Sequence, residues 1–343
     1  MQTKLRNFKI KISQGRYGNQ THYIMRYLGL VLIVFLSLVA CNSDSKIAKQ
    51  IAALEVDAQV IRFDREFAQT TPAQLGALKA KYPIMFSDQY SDDIWLSTLT
   101  DTLQIALNNE VALAFPDFQQ QELDLESLYR HFKYYFPEFE PPLTYTAVTF
   151  VDYRNRVLAK GDNVIIAIDT YLGSDHPFYV DIPVYITQNL RQEQMVQDVA
   201  ALLAKRFVAP PQDRSFLGQM IYYGKMLYLK DLLLPNSPEH ERIGYSEQHF
   251  DWSLENEQDI WRYFVEKEVL YSTSSKLLTQ FIQPAPFSKF YLEIDNESPG
   301  RIGRFIGWQM VRQYMEKNTV SISEMLTTSA ETIYKQSNYK PKK

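Results

Sequence analysis

Cysteine occurs once in these 343 residues, at position 41. No intramolecular disulfide is open to the fold, so a stable body must come from a packed core. The cysteine also closes an apolar run, Tyr27 to Ala40, that carries no charge over 14 residues. Arg26 precedes the run, and Lys4, Arg6, Lys9, Lys11 and Arg16 lie upstream. A basic flank, a short apolar core and small residues before a cut are the marks of a secretory signal. A membrane span needs ~20 apolar residues, which this run does not reach.

Leu38-Val39-Ala40-Cys41 has the form of a bacterial lipoprotein cleavage site. On that reading Cys41 becomes the acylated, palmitate-bearing first residue of the mature chain and its anchor in the cell envelope. The plain alternative is a free or buried cysteine behind an ordinary signal peptide. Met25-Arg26 makes a good start of its own, which would make residues 1–24 the product of an upstream start codon. Asn42 after the cysteine is not an inner-membrane retention residue, which favours an outer-membrane anchor facing the periplasm.

The first 40 residues hold six basic and no acidic side chains, which leaves 30 Lys and Arg against 40 Asp and Glu. Such an acidic body is the wrong partner for nucleic acid, whose phosphates need a basic face. It also has no polybasic grip on anionic lipid. Attachment to the membrane then falls to the acyl group alone.

Patterning divides the chain into a signal (1–40), a tether (41–50), a helical portion (51–142) and an α+β portion (143–343) packed with it as one body. Val56 to Phe63 alternates in part and reads as a strand. Thr71-Pro72 caps a helix, with proline where its missing N–H costs little. Residues 92–113 make one or two helices, and Glu122 to Tyr135 is amphipathic. Leu143 to Phe150, Asn155 to Leu158 and Asn163 to Ile168 are β-rich and suggest a small antiparallel sheet. Helices are then expected over 193–207, 215–234, 255–271, 301–317 and 321–336. The fold class is α+β, mostly helical.

Enzymatic signatures are sparse. There is no Gly-rich phosphate loop, no Gly-x-Ser-x-Gly elbow and no cofactor motif. His131, His176, His240 and His249 remain after the signal, and they read as surface or capping residues. His240-Glu241 opens like a zinc helix, but Gly244 stands where a second histidine would face the same ion, and Pro235 and Pro238 before the segment place it in a loop. Glu293, Asp295 and Glu297 alternate, so an extended segment would show three carboxylates on one face, for a cation or a basic partner. The plainer reading has Ser298 capping the next helix, with Pro299 at its first position. Gly303 and Gly307, four apart in a helix, imply a second backbone close by, since each costs ~1 kcal/mol relative to alanine. Residues 215–234 are apolar nearly all round and should lie centrally, so Lys225 and Asp231 there need partners. They are either core charges with snorkelling ends or part of a ligand site.

Four blocks carry a family resemblance. They are Phe132-Lys-Tyr-Tyr-Phe-Pro137, Asp169-Thr-Tyr-Leu-Gly-Ser-Asp-His-Pro-Phe-Tyr179, Met220 to Pro235, and Pro284 to Arg301. With the stretch from the lipoprotein site to the carboxyl end, they resemble the gliding-motility lipoprotein GldB family. The resemblance implies an envelope lipoprotein that supports gliding and is associated with its machinery, which is linked to type IX protein secretion. Its partners would be other gliding or secretion proteins. A second resemblance, to predicted zinc peptidases of the gluzincin type, rests on a strand (164–168), two helices (193–207 and 215–234) and a late Pro-Gly-Arg-Ile-Gly helix. In those peptidases the first helix carries His-Glu-x-x-His, whereas residues 193–207 contain no histidine. The zinc chemistry therefore carries over to no residue. The expectation is a pseudo-peptidase: a zincin-like scaffold with a cleft, without metal, cofactor or catalysis.

The residues expected to form a partner or ligand surface are Asp169, Tyr222, Tyr223, Lys225, Glu293, Asp295, Asn296, Glu297 and Arg301. The competing expectation is a cell-envelope hydrolase acting on peptide or peptidoglycan, which requires two carboxylates facing each other across a deep cleft, with raised pKa values. A docking protein would instead show an exposed aromatic patch.

Overall fold

The computed structural model describes residues 46–292 and 295–341. Cys41, the apolar run before it and Glu293 lie outside the described residues. The chain divides into two compact units between Leu54 and Glu55. In the first, residues 46–52 are helical (α1).

The second unit opens with a two-residue strand, β1 (Val60–Ile61), and helices α2 (Phe63–Ala68), α3 (Leu75–Lys81), α4 (Asp92–Thr100), α5 (Thr102–Ala114) and α6 (Gln119–Tyr135). Strands β2 (Thr144–Ala147), β3 (Val157–Lys160) and β4 (Asn163–Ala167) follow. The rest is helical: α7 (Val184–Thr187), α8 (Glu193–Ala204), α9 (Phe216–Leu233), α10 (Glu239–Ile243), α11 (Glu247–Glu255), α12 (Glu257–Glu266), α13 (Ser275–Phe281), α14 (Ile302–Lys317), α15 (Ile322–Thr327) and α16 (Ala330–Ser337). The α+β class and the helical preponderance are as the sequence indicates.

The sheet differs from the expected antiparallel one. Its order is β1-β2-β4-β3; β1 and β2 are parallel, β2 and β4 are parallel, and only β3 and β4 form an antiparallel hairpin. Local residue patterns mark strands but not their direction, which is set by where the connection returns. Here the chain leaves β2, passes beyond the β4 position to lay down β3 at the edge, and reverses at Gly161 (φ +60°). Thr144 pairs with Val164 and Thr146 with Ile166, and this face meets the main helical core. The opposite face carries Tyr145 and Ala147 and is covered by Phe63, Phe67, Leu75, Leu78, Tyr82 and Phe86 from the N-terminal helices. Burial on both faces explains why β2 and β4 read as continuous rather than alternating. The strand expected from Val56 shrinks to Val60–Ile61, and Phe63 already begins α2.

Helices α9 and α14 form the centre. A Cβ on Gly307 would lie 1.9 Å from the Met220 carbonyl oxygen, and one on Gly224 would lie 2.3 Å from that of Gly307. The paired glycines of α14 thus allow the expected close passage of a second backbone, and Gly224 of α9 shares it. Gly303 is pressed by the Phe281 carbonyl and the Ile282 side chain. Asp231 and Lys225 find partners within the core. Asp231 accepts from Arg242, Arg312 and the Trp308 indole. Lys225 donates to the carbonyls of Leu326 (2.9 Å) and Thr328 (2.7 Å).

Two local expectations are corrected. Residues 239–243 are a short helix rather than a loop, ended by left-handed Gly244. Helix α14 starts at Ile302, with Arg301 in the left-handed region (φ 65°) as its N-cap and no side-chain cap. Ser298 caps nothing. Its hydroxyl donates to the Asp295 carbonyl (2.7 Å), with the Ser288 carbonyl at 3.1 Å as the alternative acceptor, and it accepts from the Ser288 N–H.

Candidate functional site

A cleft of about 670 Å³ opens between the hairpin edge, helix α8 and the segments before α14. That size falls in the range of ligand pockets, about 300–1,000 Å³. Helix α8 contributes Asp198, Ala201, Leu202 and Lys205, the i, i+3, i+4, i+7 face of one helix. The hairpin contributes Tyr153, Arg154, Arg156 and Val157. The α7 region supplies Pro183, Tyr185, Ile186, Gln188 and Asn189. The far wall is Pro284–Pro286 against Pro299–Arg301, with Tyr245 and His249 between. Gly300 makes that wall possible, because a Cβ there would stand 2.2 Å from the Ala285 carbonyl oxygen.

The cleft is basic in an acidic protein. Four cations line it (Arg154, Arg156, Lys205 and Arg301) against a single carboxylate, Asp198. Asp198 is committed: Arg156 reaches both of its oxygens at 2.8 Å, and the Tyr171 hydroxyl donates to it at 2.9 Å. Burial works against the Arg156 charge, but Asp198 and Tyr171 beside it hold the guanidinium protonated more firmly than usual. Burial lowers the pKa of Arg301, with Arg156 adding to the effect. Burial lowers that of His249 too, with Arg301 contributing, which favours the neutral imidazole.

Arg301 is held in place rather than free to swing. Its Nη2 donates to the Gly244 carbonyl at 2.9 Å, and its guanidinium lies 5.4 Å from the centre of the Tyr245 ring. The Tyr245 hydroxyl in turn donates to the Gly300 carbonyl at 2.7 Å. Asn189 Nδ2 donates to the same Gly244 oxygen at 3.0 Å. Because a carbonyl can only accept, the Asn189 amide must point its nitrogen there and its oxygen elsewhere. That oxygen, Oδ1, is buried without a hydrogen-bond partner. Behind this group Arg304 stacks on Tyr223 at 3.9 Å, and buried Lys230 donates to the Arg242 carbonyl.

Of the described residues expected at a partner surface, only Arg301 lines the cleft. Asp169 is fully buried and accepts from the backbone of Thr149 (3.0 Å) and Val151 (2.7 Å) and from the Thr149 hydroxyl. It thereby fastens a turn in which Phe150 and Val151 both have positive φ. Burial pushes its pKa up, against those hydrogen bonds. Lys225 is a buried clamp on the segment between α15 and α16. Tyr222 and Tyr223 are partly buried and pack on each other, with ring centres 5.1 Å apart. Of the alternating carboxylates, Asp295 and Glu297 do not lie on an extended strand. Asp295–Glu297 is a 3-10 turn, and Asp295 accepts from the N–H groups of Phe290, Tyr291 and Leu292. Asn296 and Glu297 are exposed.

The cleft residues that sequence reasoning passed over are Asn189, Arg156, Asp198, Lys205, Tyr245 and His249. Only the α8 face had a readable period. The others come from three separate segments, and no spacing along the chain joins them.

A zinc ion of the gluzincin type does not fit these residues. The α8 face toward the cleft presents no histidine, and its one carboxylate is bound to Arg156 and Tyr171. Among the described residues, no three His, Cys, Asp or Glu side chains gather where they could hold a metal ion. Among the described residues the most exposed large apolar side chains are Val180 (83% exposed) and Val184 (79%), neither of which lines the cleft.

Fold and cleft thus define an α+β protein with a cleft lined by four cations and one carboxylate. The chain belongs to the family of gliding motility protein GldB, whose model matches residues 44–341, and with membership comes involvement in gliding motility. No curated protein and no solved structure matches it. No helix among the described residues is long and apolar enough to cross a membrane.

Proposed function

We propose that this protein is an envelope lipoprotein, anchored through Cys41, that serves the gliding machinery and its associated secretion apparatus as a non-catalytic docking component. Its cleft is then the groove of a peptidase-like scaffold that binds without cleaving. The observation that carries this reading is the state of Asp198. A cleft acid that is to move protons must exchange them with substrate, and hydrolysis by paired acids needs a second carboxylate opposite. Asp198 is the one carboxylate in the cleft, and its two oxygens are occupied by Arg156 and Tyr171. Four cations, of which Arg156 and Arg301 are held by hydrogen bonds and Arg154 and Lys205 are exposed, suit recognition of an anionic partner. An outer-membrane position facing the periplasm suits a docking role on this reading.

The test is reversal of the two exposed cleft cations, Arg154→Glu with Lys205→Glu. Gliding should be lost while protein level and membrane association stay at wild-type values. Normal gliding in that strain sinks the docking reading. Stoichiometric zinc in the purified protein, or cleavage of a peptide library by it, sinks the non-catalytic part.

A further inference from the structure

We propose that the cleft binds a peptide by its carboxyl terminus, with Arg301 holding the terminal carboxylate and Asn189 accepting the N–H of a neighbouring peptide bond. This rests on the docking reading above and names the ligand of that site.

Three features lead to it. First, Arg301 is fixed on two sides, by the Gly244 carbonyl and the Tyr245 ring, and among the described residues no carboxylate forms an ion pair with its guanidinium, Asp198 acting on it only at longer range. A guanidinium locked this way presents its remaining donors as a planar fork, which matches a carboxylate. Its backbone sits at φ 65°, a conformation costly for a residue with a side chain. Strain of that kind persists where surrounding structure enforces it, and it clusters at binding sites.

Second, Asn189 Oδ1 is a buried acceptor with nothing to accept from. An orphaned acceptor costs about 1–3 kcal/mol, so a ligand that brings a donor there recovers affinity. Asn189 and Arg301 hang on the same carbonyl oxygen, at 3.0 and 2.9 Å, so an anion site and a donor-seeking site are adjacent. A bare phosphate or sulfate satisfies the cation and repels the amide oxygen. The end of a peptide supplies both halves: a carboxylate and, beside it, an amide N–H.

Third, the cleft offers apolar contacts beside its polar ones, with Leu202, Pro284 and Pro286 among the lining residues. Lys205 and Arg154 stand exposed among the lining residues and favour anionic over cationic peptides. Gly244 is the hinge of the arrangement. Its φ of +72° suits glycine, and an added Cβ would crowd Asn189 Nδ2 at 3.2 Å and Arg301 Nη2 at 3.5 Å.

The experiment uses the full-length protein in detergent and two versions of one random hexapeptide library, one with free carboxyl termini and one amidated. Binding is read by fluorescence anisotropy. The free-acid library should bind at least tenfold tighter. A separate arm carries a peptidoglycan stem peptide ending in D-Ala-D-Ala, against an L-Ala-L-Ala control. Preference for the D form assigns the ligand to the cell wall, and preference for L forms assigns it to protein tails. Arg301→Gln should cost at least tenfold for free acids and nothing for amides, while Lys335→Gln, on an exposed ion pair outside the cleft lining, changes neither. If Arg301→Gln lowers the melting temperature, the comparison of free acid with amide on the unaltered protein still decides. Equal binding of acid and amide, or none of either, overturns the proposal. Should gliding still be lost on reversal of Arg154 and Lys205, the docking role survives and only the carboxyl-terminus reading fails.

Discussion

Gly224 of α9 and Gly307 of α14 meet back to back: a Cβ on Gly224 would stand 2.3 Å from the Gly307 carbonyl oxygen. The two central helices therefore touch through their backbones, and the start of α14 carries one wall of the cleft. Arg301 immediately precedes α14, and Lys230 lies in the last turn of α9.

Gly307→Ala should destabilise the protein by about 3 kcal/mol, because its methyl group would fall 1.9 Å from the Met220 carbonyl oxygen and neither backbone can yield. Gly76→Ala is the control. Nothing lies within 4 Å of its added methyl, so it should stabilise α3 by about 0.5–1 kcal/mol. Urea unfolding measures both, and equal effects at the two glycines would refute the close-contact account.

Asp231→Ala should cost roughly 3 kcal/mol or more. It leaves the guanidinium groups of Arg242 and Arg312 without their shared carboxylate, and Arg242 is buried. Chemical denaturation provides the number. A loss below about 1 kcal/mol would mean that solvent or Glu239, which also meets Arg312 at 2.6 Å, takes over the charges.

Lys230 makes stability depend on pH. Burial brings its pKa down to about 7 from the ordinary 10.5. Between those values the unfolded chain holds a proton that the folded chain lacks, so stability rises with pH across that window. Below about pH 7 both states are protonated and the cost of the buried charge is complete. Lys230→Met should therefore gain more stability at pH 6 than at pH 9. The same gain at both would show that Lys230 is not the source.

Cys41→Ser should release a folded body from the membrane fraction into the soluble one, judged by fractionation and circular dichroism. A variant that stays with the membrane would mean that the uncleaved run from Tyr27 to Ala40 is the anchor.

Much of the architecture was legible before the structure. The amphipathic period of α6 and the all-round apolar α9 announced their burial, and the two glycines of α14 announced a close neighbour. Short helices were harder to see. Helices α10, α11 and α13 are 5, 9 and 7 residues long, too short for a period to stand out. The Ser246 hydroxyl that caps α11 by accepting from His249 N was the one available signal. The candidate site was the least legible part. A dense run of carboxylates at 293–297 drew the eye, yet Asp295 is spent on three backbone N–H groups of its own loop.

What the sequence determined alone was local and cumulative: the short apolar run closed by the single cysteine, the acidic body, the helix-rich order around a small sheet and the lack of a histidine pair on α8. These depend on neighbours in the chain, where periodicity and propensity act. Strand direction, the partners of Asp231 and Lys225, and the cleft were decided only by tertiary structure. Asn189, Gly244 and Arg301 lie up to 112 positions apart, and no local preference links them. They meet because packing of α9 on α14 brings the start of α14 to the end of α10, where one left-handed glycine turns its carbonyl toward both side chains.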